Sequence, residues 1–271
     1  MTADRQDVTV LMAVRGAEDA ARLALSSLER HTSPIPVVLL ADNGTGPAFA
    51  EWLRPRPHVL TVTLKDRVGG RAPATREAAA QHAESLDRLA ERATTPWLLT
   101  MDSDIEILVD SWLDRLLDLA QARGVDAVGE LEPGPAPAMP RLAPHLLLLR
   151  RTLLTDLGAS FRGRAEIDDP GQAERFRRHR RPAAYRLTAS EAAGFGSARF
   201  YSTGAALFEA MQTHGRPWAP TPPELRADYR HLGHMSWASK HPDLAVSQAR
   251  NLDYVRFRNG MPPVEPGVEH A

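Results

Sequence analysis

Two carboxylates separated by one residue could hold a metal ion. Asp102 and Asp104 flank Ser103, directly after the apolar residues 96–101 (PWLLTM). Oxygen ligands at this spacing can converge on a hard divalent cation, which could bridge a diphosphate and offset charge developing on a leaving group. Asp104, or Asp110 further along, could instead cap the helix that follows. The spacing alone leaves both interpretations open.

Two earlier segments carry groups that suit a nucleotide. Asp42 follows an apolar run and could accept hydrogen bonds from a nucleobase or a ribose, although an Asp-Asn-Gly sequence is equally typical of an Asx-turn. In residues 68–76, Gly70 permits close backbone approach before a helix, and Arg76 could contact a phosphate. These features suggest an anion site but are weak signals when taken singly.

A late histidine pair, His231 and His234, could complete a metal site, because imidazole commonly binds divalent metals. Most histidines are surface or packed residues, and the chain has 10 of them. The arginine-rich residues 175–181 could bind an anionic acceptor, a polyprenyl phosphate at a membrane surface or nucleic acid. Acidic residues nearby also make this run typical of a solvated loop.

The elements that must position these residues alternate over the first half of the chain. Short apolar runs predict strands at residues 8–14, 36–41, 58–64, 96–101 and 125–131, and periodic patterns predict helices at 17–30, 72–92 and 111–122. Such alternation implies right-handed crossovers and a mostly parallel sheet, with ligands beyond the carboxyl ends of the strands. The polar residues at those ends, which should therefore face one cleft, are Arg15, Asp42, Asp66 and Asp102 to Asp104.

The second half is less regular. The proline-rich residues 133–144 predict a loop, and the polar residues 160–200 predict a mobile loop region or an ordered lid. Further patterns predict a helix at residues 205–214, a short strand at 229–232, a helix at 242–257 and a frayed tail from residue 260.

Composition excludes several classes of function. The net charge of -1 gives no global positive field for nucleic acid, and no nucleic-acid partner is expected. The absence of cysteine excludes disulfides, thiolate zinc sites and cysteine nucleophiles. The polar start has no apolar segment typical of a signal peptide, and the apolar run at residues 146–149 is too short to span a bilayer. A cytoplasmic location is the expectation.

The order of these motifs resembles the inverting, nucleotide-sugar-dependent glycosyltransferases of family 2, which have a GT-A fold. The resemblance spans about residues 8–240. It is carried by the first strand and nucleotide loop at residues 8–15, VLLADNGT at 38–45 for the family's V-V-D-N-G-S, the glycine-to-arginine spacing at 70–76, the Asp-x-Asp metal motif at 102–104, and HLGHMS at 231–236 for the late H-x-G-G-x-S.

The resemblance implies an α/β fold, namely a GT-A-type, Rossmann-like and mostly parallel twisted sheet flanked by helices, as a single domain with an acceptor-side insertion. Residues 1–131 would form the nucleotide-sugar-binding half. Residues 132–259 would form the acceptor-binding half with the late metal-ligand segment, and 260–271 a C-terminal tail.

The implied activity is metal-dependent transfer of a sugar, of the hexosyltransferase type, from a nucleotide-diphosphate sugar to a natural product, a glycan or a lipid-linked acceptor. Peripheral contact with a membrane is left open. The cofactor would be Mn²⁺ or Mg²⁺, bound by Asp102, Asp104 and His231, with His234 ranked second to His231. The implied nucleotide-binding residues are Ala13, Arg15, Asp42, Gly70, Arg76, Asp102 and Ser103.

Three departures from the family pattern matter. The first loop has become AVRG at residues 13–16, and the usual R-N-x-G has become REAA at 76–79. Where the family has an acidic pair whose aspartate is the general base, residues 202–204 read Ser-Thr-Gly. The substitute bases are Glu191, Glu209 and Asp228. Inversion is favoured, but a lost base is also compatible with a retaining transferase.

Two other functions compete with this interpretation. A nucleotidyltransferase would need a glycine-rich phosphate loop and a lysine soon after the first strand, whereas residues 13–19 offer one glycine and no lysine. A nucleotide- or nucleic-acid-binding protein without turnover is favoured by the missing base and the arginine run. Product analysis with nucleotide sugars would distinguish turnover from binding.

Overall fold

A computed structural model of the chain describes residues 5–62, 75–134, 138–166, 171, 199–233 and 242–262. After a single 3₁₀ turn (Arg5–Asp7), the strands are β1 (Val8–Val14), β2 (Val37–Asp42), β3 (Val59–Val62), β4 (Trp97–Met101), β5 (Ile105–Ile107), β6 (Ala127–Gly129), β7 (Leu131–Glu132), β8 (Arg141–Leu142), β9 (Leu146–Arg150), β10 (Arg164–Glu166), β11 (Arg199–Tyr201), β12 (Trp218–Pro220) and β13 (Tyr229–His231).

The described helices lie between or after these strands. They are α1 (Glu18–His31), α2 (Pro47–Leu53), α3 (Thr75–Arg92), α4 (Trp112–Ala122), α5 (Thr152–Asp156), α6 (Ala205–Thr213), α7 (Pro223–Arg226) and α8 (Pro242–Arg258). Within the described ranges, no helix combines the length and the apolar character that crossing a bilayer requires.

A seven-stranded sheet in the order β12-β6-β9-β4-β1-β2-β3 forms the centre of the fold. β9 runs antiparallel to both of its neighbours, β4 and β6, and the other pairs in this sheet are parallel. The predicted α/β class with a mostly parallel sheet is confirmed. β12 pairs with β6, so the two predicted halves of the chain contribute to one sheet.

Helices cover both faces of the sheet, which explains why its central strands are apolar runs without alternation. Val10 and Met12 of β1 pack with α1 and α4 in one buried cluster. Leu11, which points to the opposite face, packs with residues of α3 and α6 in another. Replacing Leu11 by alanine would cost about 2–5 kcal/mol of stability, as large-to-small changes in cores do.

Most of the predicted elements are confirmed to within a few residues, and the errors fall at identifiable places. The prediction of a loop throughout residues 133–144 is wrong, because Arg141–Leu142 form β8 and pair with β7. The sequence interpretation missed three helices, α2, α5 and α7, and the strands β5, β9 and β12. Of the polar stretch at 160–200, β10 and the start of β11 are described and pair with each other. Most of this stretch, and the tail beyond residue 262, lie outside the described residues.

Candidate metal and nucleotide site

β4 and β5 position the two predicted carboxylates. Asp102 follows the last residue of β4, and its N–H donates to the carbonyl of His145 (2.9 Å). The N–H of Ile105 then donates to the carbonyl of Asp102 (3.2 Å), which closes a tight turn before β5. Both carboxylates therefore lie at the carboxyl edge of the central sheet. Asp104 is buried and Asp102 is half-buried.

The antiparallel pair β5–β13 brings the late histidine to these carboxylates. His231 lies opposite Ile105 in the register of that pair. The N–H of Leu232 donates to the carbonyl of Asp104 (3.0 Å), so backbone bonds fix the chain just beyond the histidine. His231 Nε2 lies 3.4 Å from Asp104 Oδ1 and 4.0 Å from Asp102 Oδ2.

The structure thus assembles the three residues that the sequence analysis assigned to a metal. One ligand atom from each of Asp102, Asp104 and His231 lies within 4.8 Å of the other two. Two carboxylates and one imidazole form a donor set suited to Mn²⁺, and to Mg²⁺ through the carboxylates. The residues present therefore fit the cofactor that was expected.

Further imidazoles and a carboxylate surround this cluster. His82 of α3 places Nε2 3.3 Å from Asp102 Oδ1. His145, just before β9, stacks its ring on that of His231 with 4.6 Å between the centroids. His145 Nε2 in turn lies 3.3 Å from an oxygen of Glu130, which follows β6.

These contacts shift the pKa values of Asp102 and of the three histidines around it. Burial raises the pKa of Asp102, but the charge and hydrogen bond of His82 and the charges of His231 and His145 outweigh it and lower the pKa to about 2. Burial lowers the pKa of His82 and of His231, yet their aspartate partners raise both pKa values overall. Burial and the charge of His231 lower the pKa of His145. The site is thus built around an ionised carboxylate that attracts cations.

The predicted nucleotide residues of β1 and β2 lie at the same edge of the sheet as Asp102, one and two strands away from β4. Val14 of β1 pairs with Asp42 of β2, and Ala13 and Arg15 are half-buried beside them. Asp42 Oδ1 accepts hydrogen bonds from the N–H groups of Gly44 (2.8 Å) and Thr45 (2.9 Å), so the Asx-turn is present. Among the described residues, Oδ2 of Asp42 has no hydrogen-bond partner, which leaves one carboxylate oxygen for a ligand.

The other predicted nucleotide residues differ in how far the structure describes them. Ser103 is buried between Asp102 and Asp104 in the chain. Gly70 lies outside the described residues. Arg76 belongs to the first turn of α3 by its backbone, but its side chain lies outside what is described.

The two substitute bases that the structure describes, Asp228 and Glu209, do not join the cluster of Asp102, Asp104 and His231. Asp228 is buried, and Arg115 Nη1 donates to both of its carboxylate oxygens (2.7 and 2.6 Å). Glu209 on α6 accepts a hydrogen bond from the hydroxyl of Tyr201 (2.8 Å) and pairs with two arginines. Glu191 and the alternative ligand His234 lie outside the described residues.

Residues 202–204 stand where the family has its acidic pair, and their described contacts are made by the backbone. Gly204 has φ +84° and precedes α6, in a left-handed conformation that favours glycine. The carbonyl of Thr203 accepts a hydrogen bond from Arg141 (3.3 Å).

Glu209 also lines an open groove of about 340 Å³ between α6 and residues 157–164, and the lining of this groove does not include the metal cluster.

Three residues of the site were missed by sequence reasoning, namely His82, His145 and Glu130. Glu130 was placed inside a strand predicted to reach residue 131, whereas β6 ends at Gly129. His145 was missed because β9 was not predicted, and an antiparallel strand brings its first residue, rather than its last, to the carboxyl edge of its parallel neighbours. A rule that inspects both ends of apolar runs would have found both residues.

Comparison with known proteins gives a likeness in structure alone. No protein-family model matches the chain, and no curated protein sequence matches it. The chain is similar in structure to the mannosyltransferase PcManGT of Pyrobaculum calidifontis, solved with GDP-Man and Mn²⁺, with a TM-score of 0.53 and 15% identity over 98% of this chain and 67% of that one. S. aureus TarS 1-349, solved with UDP-GlcNAc, gives a TM-score of 0.42 and 14% identity over 93% and 72%. The likeness to PcManGT shows that the chain has a GT-A-type fold.

Proposed function

We propose that this protein is a metal-dependent glycosyltransferase that moves a sugar from a nucleotide-diphosphate sugar to an acceptor. The observation that carries the proposal is the assembly of Asp102, Asp104 and His231 at the end of β4, from parts of the chain far apart in sequence. The fold shared with PcManGT, which was solved with GDP-Man and Mn²⁺, supports the same function.

The positions along the sheet edge suggest how the substrates would lie. Asp42 and Arg15, at the ends of β2 and β1, would hold the nucleotide, which places the diphosphate toward β4. The bound cation, Mn²⁺ or Mg²⁺, would neutralise the departing diphosphate. Of the two, Mn²⁺ suits a set with one imidazole nitrogen better.

The acceptor would then approach from the side of the cation opposite the nucleotide. In the strand order, β9 and β6 lie on that side of β4. Glu130, His145 and the Arg141–Thr203 contact are located there. Residues 202–204 would line this side without supplying a carboxylate.

Inversion needs a base that accepts the proton of the acceptor hydroxyl. Glu209, Asp228 and Glu191 remain the proposed candidates. Glu209 has a partly exposed carboxylate that borders an open groove, but it pairs with two arginines and the groove lining does not include the metal cluster, so its contacts do not rank it above Asp228. Asp228 is enclosed by its ion pair with Arg115.

The test is sugar release or transfer with a panel of nucleotide sugars that includes GDP-Man and UDP-GlcNAc, in the presence of Mn²⁺ and after its chelation. Asp104→Ala should abolish turnover while the fold survives, because the variant loses a metal oxygen. Asp110→Ala is the matched control, since Asp110 is exposed and contacts His31 on the surface. Full activity in Asp104→Ala with chelator present would contradict the metal assignment.

The absence of a carboxylate at residues 202–204 favours one alternative, a nucleotide-binding protein without turnover. Calorimetry with GDP and UDP alongside product analysis separates the two functions. Binding without any product from the whole panel would support the alternative.

A further inference from the structure

One turn of α3 lies between the end of β2 and the end of β4. Gln81 Nε2 donates to Asn43 Oδ1 (3.2 Å), and Asn43 Nδ2 donates to the hydroxyl of Ser85 (3.1 Å). Asn43 and Ser85 are buried. These contacts fix the position of the turn that carries His82.

His82 uses this fixed position to contact one oxygen of the first metal carboxylate. Its Nε2 lies 3.3 Å from Oδ1 of Asp102, whereas the other oxygen, Oδ2, lies on the side of His231 (4.0 Å). The two oxygens of Asp102 thus have different neighbours. His82 itself is not a member of the group of ligand atoms found within 4.8 Å of one another in the described residues.

We propose that His82 is a positioning residue for the metal site, which holds Oδ1 of Asp102 so that Oδ2 is directed toward Asp104 and His231. The inference rests on the proposed metal-dependent function. A carboxylate without this partner rotates about its terminal bond and must be ordered when the cation binds. Partners of this kind behind metal ligands affect metal affinity by about 10–100-fold.

The experiment titrates Mn²⁺ alone into the full chain, with unbound Mn²⁺ followed by its paramagnetic resonance signal. His82→Leu should weaken Mn²⁺ binding by about 10–100-fold. His82→Gln should stay close to the parent, because the glutamine Nε2 can donate from nearly the same place. Glu84→Gln is the matched control: it weakens a partly exposed ion pair with Arg88 on the same helix. It leaves the Gln81–Asn43–Ser85 contacts and the His82–Asp102 pair intact, so its Mn²⁺ affinity should not change.

Each outcome decides the inference. Unchanged Mn²⁺ affinity in His82→Leu overturns the inference. If His82→Gln loses as much affinity as His82→Leu does, the inference is also overturned, because His82 would then be a metal ligand. An equal loss in Glu84→Gln also overturns it, because the effect would then come from the helix as a whole. If His82→Leu does not fold, His82→Ala replaces it in the comparison with His82→Gln.

The failure of the inference can be told from the failure of the proposed function. If the parent binds no Mn²⁺ even with GDP or UDP present, or if Asp104→Ala binds it as well as the parent, the metal-dependent function fails and the inference fails with it. If the parent and His82→Leu bind Mn²⁺ equally well and Asp104→Ala does not bind it, the metal-dependent function stands and only the proposed role of His82 fails.

Discussion

The rings of His145 and His231 stack with 4.6 Å between their centroids and 20° between their planes. His145 is buried and its Nε2 lies 3.3 Å from a carboxylate oxygen of Glu130, so a second contact holds its ring. The stack therefore restricts the ring plane of His231, whose Nε2 faces Asp104.

Removal of this stack should weaken metal binding without removing a ligand. In His145→Ala, the ring of His231 gains rotational freedom, and Mn²⁺ affinity should fall by about tenfold, at the lower end of effects from outer partners. His145→Phe retains a ring of similar shape and should keep most of the affinity. Calorimetric titration of both variants with Mn²⁺ checks this, and equal affinities in the two would show that the stack has no influence.

The position of the carboxylates could be predicted because it depends on local signals. Asp102 follows a run of apolar residues that had to be a strand buried on both faces, and parallel strands present their carboxyl ends to ligands. The run, the turn and the acidic pair are adjacent in sequence, so no long-range information was needed. The same holds for Asp42 after β2.

What could not be predicted depends on contacts between distant segments. β9 is a short apolar run that was not assigned to a strand, and nothing in the run itself specifies the antiparallel direction that it takes between β4 and β6. The contact of His82 with Asp102 depends on how α3 is rotated against the sheet. β5 and β12 have three residues each, which is too short for a periodic pattern.

Two substitutions at Asp42 separate its turn from its proposed role in nucleotide binding. Asp42→Asn keeps an oxygen that can accept from the N–H groups of Gly44 and Thr45, but it removes the charge. Asp42→Ala removes both. If the carboxylate binds the nucleotide, affinity for GDP or UDP should fall by about 1–3 kcal/mol in both variants. Loss in Asp42→Ala alone, measured by calorimetry, would reduce Asp42 to a turn residue.

The ion pair of Asp228 with Arg115 should contribute to stability. Asp228→Asn leaves the guanidinium with a weaker partner, and a loss of about 1–2 kcal/mol in the free energy of unfolding is expected, since Arg115 is partly exposed and its charge partly screened. Urea denaturation measures the loss. Asp118→Asn, on the exposed side of the same helix α4, is the control and should change stability little. Full stability together with lost sugar transfer in Asp228→Asn would instead favour Asp228 as the base.

The histidine that binds the metal should be His231 rather than His234. His231 is fixed by its register opposite Ile105, and the next residue, Leu232, is held from two sides: its N–H donates to the carbonyl of Asp104, and its carbonyl accepts from Asn251 of α8 (2.6 Å). Gly233 then has φ +69°, a left-handed conformation that turns the chain. His234 lies beyond this turn, outside the described residues.

His231→Ala should therefore lower Mn²⁺ affinity by at least about tenfold, which corresponds to about 1.4 kcal/mol. His234→Ala should leave it near that of the parent, because the cluster keeps its three ligands. The measurement is Mn²⁺ titration of both variants in the presence of GDP or UDP, so that a metal–nucleotide complex is also detected. Loss in His234→Ala alone would reverse the assignment. Unchanged affinity in both variants would leave Asp102 and Asp104 as an all-oxygen centre, with the imidazole of His231 as a hydrogen-bond partner of Asp104.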